Sequence, residues 1–291
     1  MNHILKKYCP RIEFDSYEDF YENFKIDVPE AFNFGFDVVD EWARVEPEKR
    51  ALVWCDDRDE ERTFTFADLS RLSNQAANAF AKLGIGKGDV VMMILRRRWE
   101  YWVCAVALCK LGATIIPASL QLTKKDIVYR ADSARVKAVV CVNDEYVCGQ
   151  MEEALPESPS IENRIIVAGE RAGWTPFDEL IAGESDEFER PMGEAGVTSK
   201  DIMLVYFTSG TTGLAKAVCH NFAHPLGHII TAKYWQQVEE DTLHMSVTDS
   251  GWAKFGWGKI YGQWIAGATI FAYDMDKFVP TKLLQRSRTT S

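Results

Sequence analysis

Tyr206-Phe207-Thr208-Ser209-Gly210-Thr211-Thr212-Gly213-Leu214-Ala215-Lys216 is the stretch on which the reading of the fold turns. The apolar run at 202–207 predicts a buried strand, and residues 217–219 predict a second short one. Between them lie Thr208, Ser209, Thr211 and Thr212, whose hydroxyls can donate, and Lys216, which adds a point positive charge. Gly210 and Gly213 can take backbone angles that turn main-chain N–H groups inward together. No residue here is placed to attack a substrate. The composition suits a cradle for a polyphosphate.

Two alternatives are excluded by spacing. Lys216 does not directly follow a glycine and no Ser or Thr comes after it, so this is not a Walker A loop. No G-x-S-x-G nucleophile elbow occurs in the chain. A plain Ser/Thr/Gly hairpin turn with a solvated lysine is the competing reading of the residues alone.

Working outward, a βα rhythm surrounds the stretch. Strands are expected at 51–54 and 63–66 as a hairpin, then at 90–95, 113–117, 137–142 and 164–167. Helices alternate with them. Thr65 with Asp68 and Thr123 with Asp126 are spaced as capping boxes, with Leu122 and Ile127 placed as a staple. Leu69, Leu72, Ala76, Phe80 and Leu83 share one helical face, and 99–111 reads as a helix covered on several sides. After the loop, a helix at 221–234, a strand at 242–247, a helix at 255–266 and a strand at 269–273 are expected, with Pro280 opening a last helix. The pattern predicts an α/β fold with largely parallel sheets flanked by helices. Residues 1–31 are expected as an N-terminal surface extension, 32–200 as a first α/β subdomain and 201–291 as the start of a second.

The totals agree with a globular chain. Its 291 residues carry a net charge of −10, which argues against nucleic acid or an anionic membrane as the main partner. The most apolar stretch, 99–117, is broken by Lys110 and Gly112 and does not read as a membrane span. Seven cysteines without a C-x-x-C pair read as free thiols, mostly buried, in a reducing cytoplasm. His220, His224, His228 and His244 lack metal-ligand spacing and read as structural; no side chain is assigned to a metal.

The string Tyr-Phe-Thr-Ser-Gly-Thr-Thr-Gly-x-x-Lys at 206–216, preceded by a strand, resembles the phosphate loop of the AMP-forming acyl-CoA synthetases, the adenylate-forming or AMP-binding family. Phe32-Asn33-Phe34 through Glu41-Trp42-Ala43, Gln121-Leu122-Thr123-x-x-Asp126-Ile127 and the run 249–257 resemble its medium-chain branch. The resemblance runs in order from about residue 32 to 284 and matches roughly the N-terminal half of such an enzyme. It implies an incomplete N-terminal large domain of the adenylate-forming fold. It also implies an acid–thiol ligase acting on medium-chain or aromatic carboxylic acids with ATP, Mg2+ and coenzyme A. Thr208, Ser209, Gly210, Thr211, Thr212, Gly213, Leu214, Ala215 and Lys216 would bind ATP. Asp249, Gly251, Trp252, Lys254 and Trp257 would line the acyl pocket.

There are departures from the family pattern. Ala215 and Ala217 stand where the family commonly has Pro and Gly; where a positive φ is needed, alanine costs about 1 kcal/mol. The family's later motifs, its catalytic lysine and its C-terminal small domain are absent from the chain, which therefore reads as a fragment lacking full activity. The alternative is a non-catalytic nucleotide binder or a subunit completed by another chain. A sheet cut short is expected to self-associate through its open edge.

Overall fold

The computed structural model describes residues 2–208 and 214–289, and arranges their strands in two sheets. In chain order these are β1 (Arg50–Asp56), β2 (Glu61–Thr65), β3 (Val90–Ile94), β4 (Thr114–Pro117), β5 (Val136–Val142) and β6 (Asn163–Val167), then β7 (Thr175–Pro176), β8 (Ile202–Thr208), β9 (Lys216–Asn221), β10 (Leu243–Met245) and β11 (Thr269–Asp274). Seven of them form one sheet in the order β7-β6-β5-β3-β4-β8-β9. All its neighbours are parallel except β8 and β9. The other sheet runs β10-β11-β1-β2, parallel except for the β1–β2 hairpin. Strands such as Val-Val-Met-Met-Ile in β3 are buried almost throughout, as a parallel sheet covered on both faces requires.

Both capping boxes form. Asp68 N donates to Thr65 Oγ1 at 3.1 Å while Thr65 N donates back to Asp68 Oδ2 at 3.1 Å, and helix Phe66–Lys82 starts there. Its apolar face buries Leu69, Ala76 and Phe80. Thr123 and Asp126 repeat the device at the head of helix Lys124–Ala134, and Leu122 and Ile127 enter one hydrophobic cluster. Together these two pairs settle where two helices begin, each worth about 1 kcal/mol.

Helix Glu100–Leu111 buries all twelve residues. Tyr101 and Trp102 pack on Phe255 with ring centroids 4.8 and 5.0 Å apart. The Lys110 ammonium, buried with its stem, is satisfied by Asp40 at 2.7 Å and Asn74 at 2.5 Å. Asn33, also buried, donates to Cys109 O at 2.6 Å near the helix end. The helix stops at Gly112, whose φ of 75° only glycine takes readily.

Several expectations shift. The sheets do not part at residue 200: β1 and β2 lie before it yet share a sheet with β10 and β11, while β8 and β9 lie after it yet extend the larger sheet. Long-range pairing of β1 with β11 is responsible. The N-terminal extension is not all surface, because helix His3–Tyr8 sinks Ile4, Leu5 and Tyr8 into the main core and Asn2 Nδ2 donates to Ile265 O at 2.8 Å. Helix Tyr17–Asn23 buries nothing. The helix expected at 255–266 is two, Ala253–Lys259 and Tyr261–Ile265, broken where Ile260 takes φ −141° and ψ −75°. The helix expected at 221–234 is helix His224–Ile230 followed by a π-helical turn, Thr231–Trp235. Six cysteines are buried and Cys219 is exposed. Among the described residues no helix is long and apolar enough to cross a membrane.

Candidate functional site

The candidate phosphate loop caps the β8–β9 hairpin. Thr208 faces Lys216 as a register pair, so the two ends of the glycine-hydroxyl run are fixed side by side. Ser209, Gly210, Thr211, Thr212 and Gly213 lie outside the described residues. Thr208, Leu214 and Lys216 are exposed and Ala215 is half-buried. The stems are rigidly founded. In β8, Met203, Leu204, Val205 and Tyr206 are buried, and β9 forms the outer edge of the sheet, exposed along most of its length.

Helix Lys124–Ala134 holds the loop from the side. Tyr129 Oη donates to Ala215 O at 2.9 Å, and the Arg130 guanidinium lies 5.0 Å from the Phe207 ring centroid. Burial lowers the Arg130 pKa, against the opposing charge of Asp126. A sequence reading missed Tyr129, because its contact is made 86 residues away along the chain.

The second group of candidates sits beside the ends of β4 and β8, which are parallel neighbours. A crevice outside the carboxyl ends of parallel strands is where open α/β sheets bind ligands. Gly251 is pressed against the chain just beyond β4: a Cβ there would lie 2.5 Å from Ser119 N. Gly256 is pressed against β8, where a Cβ would lie 2.6 Å from Tyr206 Oη. Only glycine allows both approaches. Asp249 accepts from its neighbour Ser250 N at 2.8 Å and pairs with Arg97 at 3.4 Å.

The remaining pocket candidates are less enclosed. Trp252 is 64% exposed at the start of helix Ala253–Lys259. Lys254 is exposed on the same first turn. Trp257 is half-buried, its ring 5.3 Å from that of Trp235. The structure thus gathers Asp249 and Gly251 at the sheet ends and leaves Trp252 and Lys254 on the outside of the helix.

Two groups that the sequence did not mark lie behind this loop. Arg96, Arg97 and Arg98 follow β3 after Leu95 and join the two sheets. Arg96 pairs with Asp274 at 3.1 Å, Arg97 donates to Tyr273 O at 3.1 Å and to Met275 O, and Arg98 pairs with Glu100 at 2.9 Å. Three arginines in a row after a buried strand are the signal that could have found them. The other is Lys259, only 2% exposed. Burial, and after it the charge of Arg97, brings its ammonium down to about 7.

His220, His224 and His228 are packed together, with the His224 and His228 Nε2 atoms 3.1 Å apart, while His244 bonds to Gly258 O. Among the described residues no group of three or more His, Cys, Asp or Glu is arranged to hold a metal ion.

Comparison with known proteins gives a consistent picture. Residues 39–291 match the family model described as AMP-binding enzyme. "Acyl-coenzyme A synthetase ACSM3, mitochondrial" of Homo sapiens is 31% identical over 282 residues, covering 94% of this chain and 47% of that protein. "Acyl-coenzyme A synthetase ACSM4, mitochondrial" of Mus musculus is 33% identical over 259 residues, covering 86% and 44%. The crystal structure of the anthranilate CoA ligase AuaEII in complex with anthranoyl-AMP superposes with a TM-score of 0.76 at 20% identity, over 89% of this chain and 48% of that one. Acetoacetyl-CoA synthetase from Streptomyces lividans gives 0.74 at 20% identity, over 84% and 38%. The two structures show that the fold is shared. The chain spans about half the length of the curated relatives it matches.

Proposed function

Because the chain belongs to the AMP-binding enzyme family, we propose that it supplies the ATP- and acid-binding half of an acid–thiol ligase. In that reaction a carboxylate oxygen attacks the α-phosphorus of ATP, an acyl–phosphate bond forms and pyrophosphate leaves. The thiol of coenzyme A then attacks the acyl carbon and AMP departs. The first step is phosphoryl chemistry, in which positioning and charge neutralisation do most of the catalysis.

The observation that carries the reading is the hairpin mouth, where Thr208 and Lys216 are paired and Tyr129 holds Ala215. The donor set fits a polyphosphate: hydroxyls, a point cation, and glycines that leave room for main-chain N–H groups. The 208–216 loop steadies the β- and γ-phosphates, and Mg2+ supplies charge neutralisation when bound with the nucleotide. Asp249, Gly251, Trp252, Lys254 and Trp257 form one wall for a medium-chain or aromatic acid. A cytoplasmic location belongs to the same proposal, supported by seven free thiols, six of them buried. Fluorescence localisation of the tagged chain checks it against the mitochondrial location in the relatives' names.

Coverage of 47% of the human relative favours a second element in this reading: this half binds, and another portion or polypeptide completes the chemistry. The test is pyrophosphate release from octanoate or benzoate with ATP and Mg2+. This chain alone is expected to release none while still being stabilised thermally by ATP. Sustained turnover by the chain alone would refute the division of labour.

A further inference from the structure

Strand β9 is held from one side only. It buries none of its six residues, and its ladder partner is β8 alone. Its first residue, Lys216, pairs with Thr208 at the hairpin mouth, the end at which a ladder opens most easily. The Lys216 side chain is exposed and has no ion pair among the described residues. Where its four-carbon stem begins is therefore set by the main chain.

Tyr129 supports that main chain from outside the hairpin. Its Oη donates at 2.9 Å to Ala215 O, the carbonyl of the peptide that joins Ala215 to Lys216. No other side chain bonds to 214–216 among the described residues. The tyrosine is itself well placed to bear the load. Its ring meets Phe207 edge-on, with centroids 6.2 Å apart and planes at 78°, and the Arg130 guanidinium lies 5.0 Å from the same Phe207 ring. Ile127 and Ala131 of helix Lys124–Ala134 share a hydrophobic cluster with Val205 of β8, and Phe207 packs against it. Helix and β8 thus form one packed body, and the Tyr129 hydroxyl carries its rigidity across to the head of β9.

We propose that Tyr129 is a positioning residue for nucleotide binding: its hydroxyl fixes the Ala215–Lys216 peptide so that the Lys216 ammonium is presented to the triphosphate tail. It touches no phosphate and acts through Lys216. Without the bond, the last ladder pair opens and Lys216 has to be ordered as the nucleotide binds, which costs affinity. The inference rests on the nucleotide reading of the 208–216 loop.

The test is a double-mutant cycle read by isothermal titration of ATP with Mg2+ into the full chain: wild type, Tyr129→Phe, Lys216→Ala and the double variant. Phenylalanine keeps the ring against Phe207 and removes one oxygen. Tyr129→Phe is expected to weaken ATP about three- to tenfold, the factor carried by one neutral hydrogen bond. In the Lys216→Ala background the same change is expected to cost less than about twofold, because the residue it positions is gone. A merely structural role would cost the same factor in both backgrounds. That result overturns the proposal, as does equal affinity of the wild type and Tyr129→Phe, and either leaves the nucleotide reading standing. No binding by the wild-type chain overturns that reading and the inference with it.

Discussion

His224 and His228 show how burial sets the charge of single residues. Their Nε2 atoms are 3.1 Å apart, so one donates and the other accepts, and the accepting ring must be neutral. Burial, then the neighbouring imidazoles, lowers His224 to about 3; burial, then His220, lowers His228 to about 4. Below the ordinary histidine value the unfolded chain takes up protons that the folded chain refuses, so stability falls as pH drops from about 6.5 towards 4. A His224→Phe/His228→Phe double variant is expected to flatten that decline in urea titrations across this range. A slope equal to that of the wild type would show that the pair carries no such penalty. At this scale the sequence told part of the story. It marked the histidines as structural. It chose Lys254 as the lysine of interest because the stretch around it is aromatic and glycine-rich. Five residues on, Lys259 is the buried one, since five helical steps carry a side chain about 140° around the axis. Composition cannot distinguish those two faces in a run that is apolar nearly all round.

Gly251 belongs to the scale of elements, because it sets how closely the 249–252 loop approaches the end of β4. With a Cβ 2.5 Å from Ser119 N and 2.6 Å from its Cα, the obstacle is main chain and cannot swing aside. Gly251→Ala is expected to destabilise the chain by about 1–3 kcal/mol in denaturant titrations, the range for overpacking. A loss below about 0.5 kcal/mol would mean that the loop gives way easily and does not hold the site. Elements whose signals are local were legible: both capping boxes, the β1–β2 hairpin and the buried run of β8 stand where the residues put them. The break at Ile260 was not, because the glycines around it, Gly256, Gly258 and Gly262, do not say at which position the helix parts. Its cause is tertiary: the Cβ that Gly262 lacks would lie 2.3 Å from His228 O, so helix Tyr261–Ile265 is seated against helix His224–Ile230.

Across the whole molecule, the two sheets are interleaved in sequence and joined by Arg96, Arg97 and Arg98. Strand order of this kind is invisible to periodicity, which reports what each segment buries and not its partner. The expected boundary at residue 200 was drawn from a polar interlude that proves to be a connection within one sheet, from β7 to β8. What the interleaving achieves is placement. The hairpin mouth, helix Lys124–Ala134 and the 249–257 stretch all reach the same end of the larger sheet, although far apart along the chain. In the proposed function this end holds a nucleotide triphosphate through the 208–216 loop. Isothermal titration of ATP with Mg2+ into the wild-type chain and into Lys216→Ala tests it most directly. Saturable binding that weakens at least about tenfold in the variant, near 1.4 kcal/mol, is predicted. No binding to the wild type, or the same affinity in both, would contradict it.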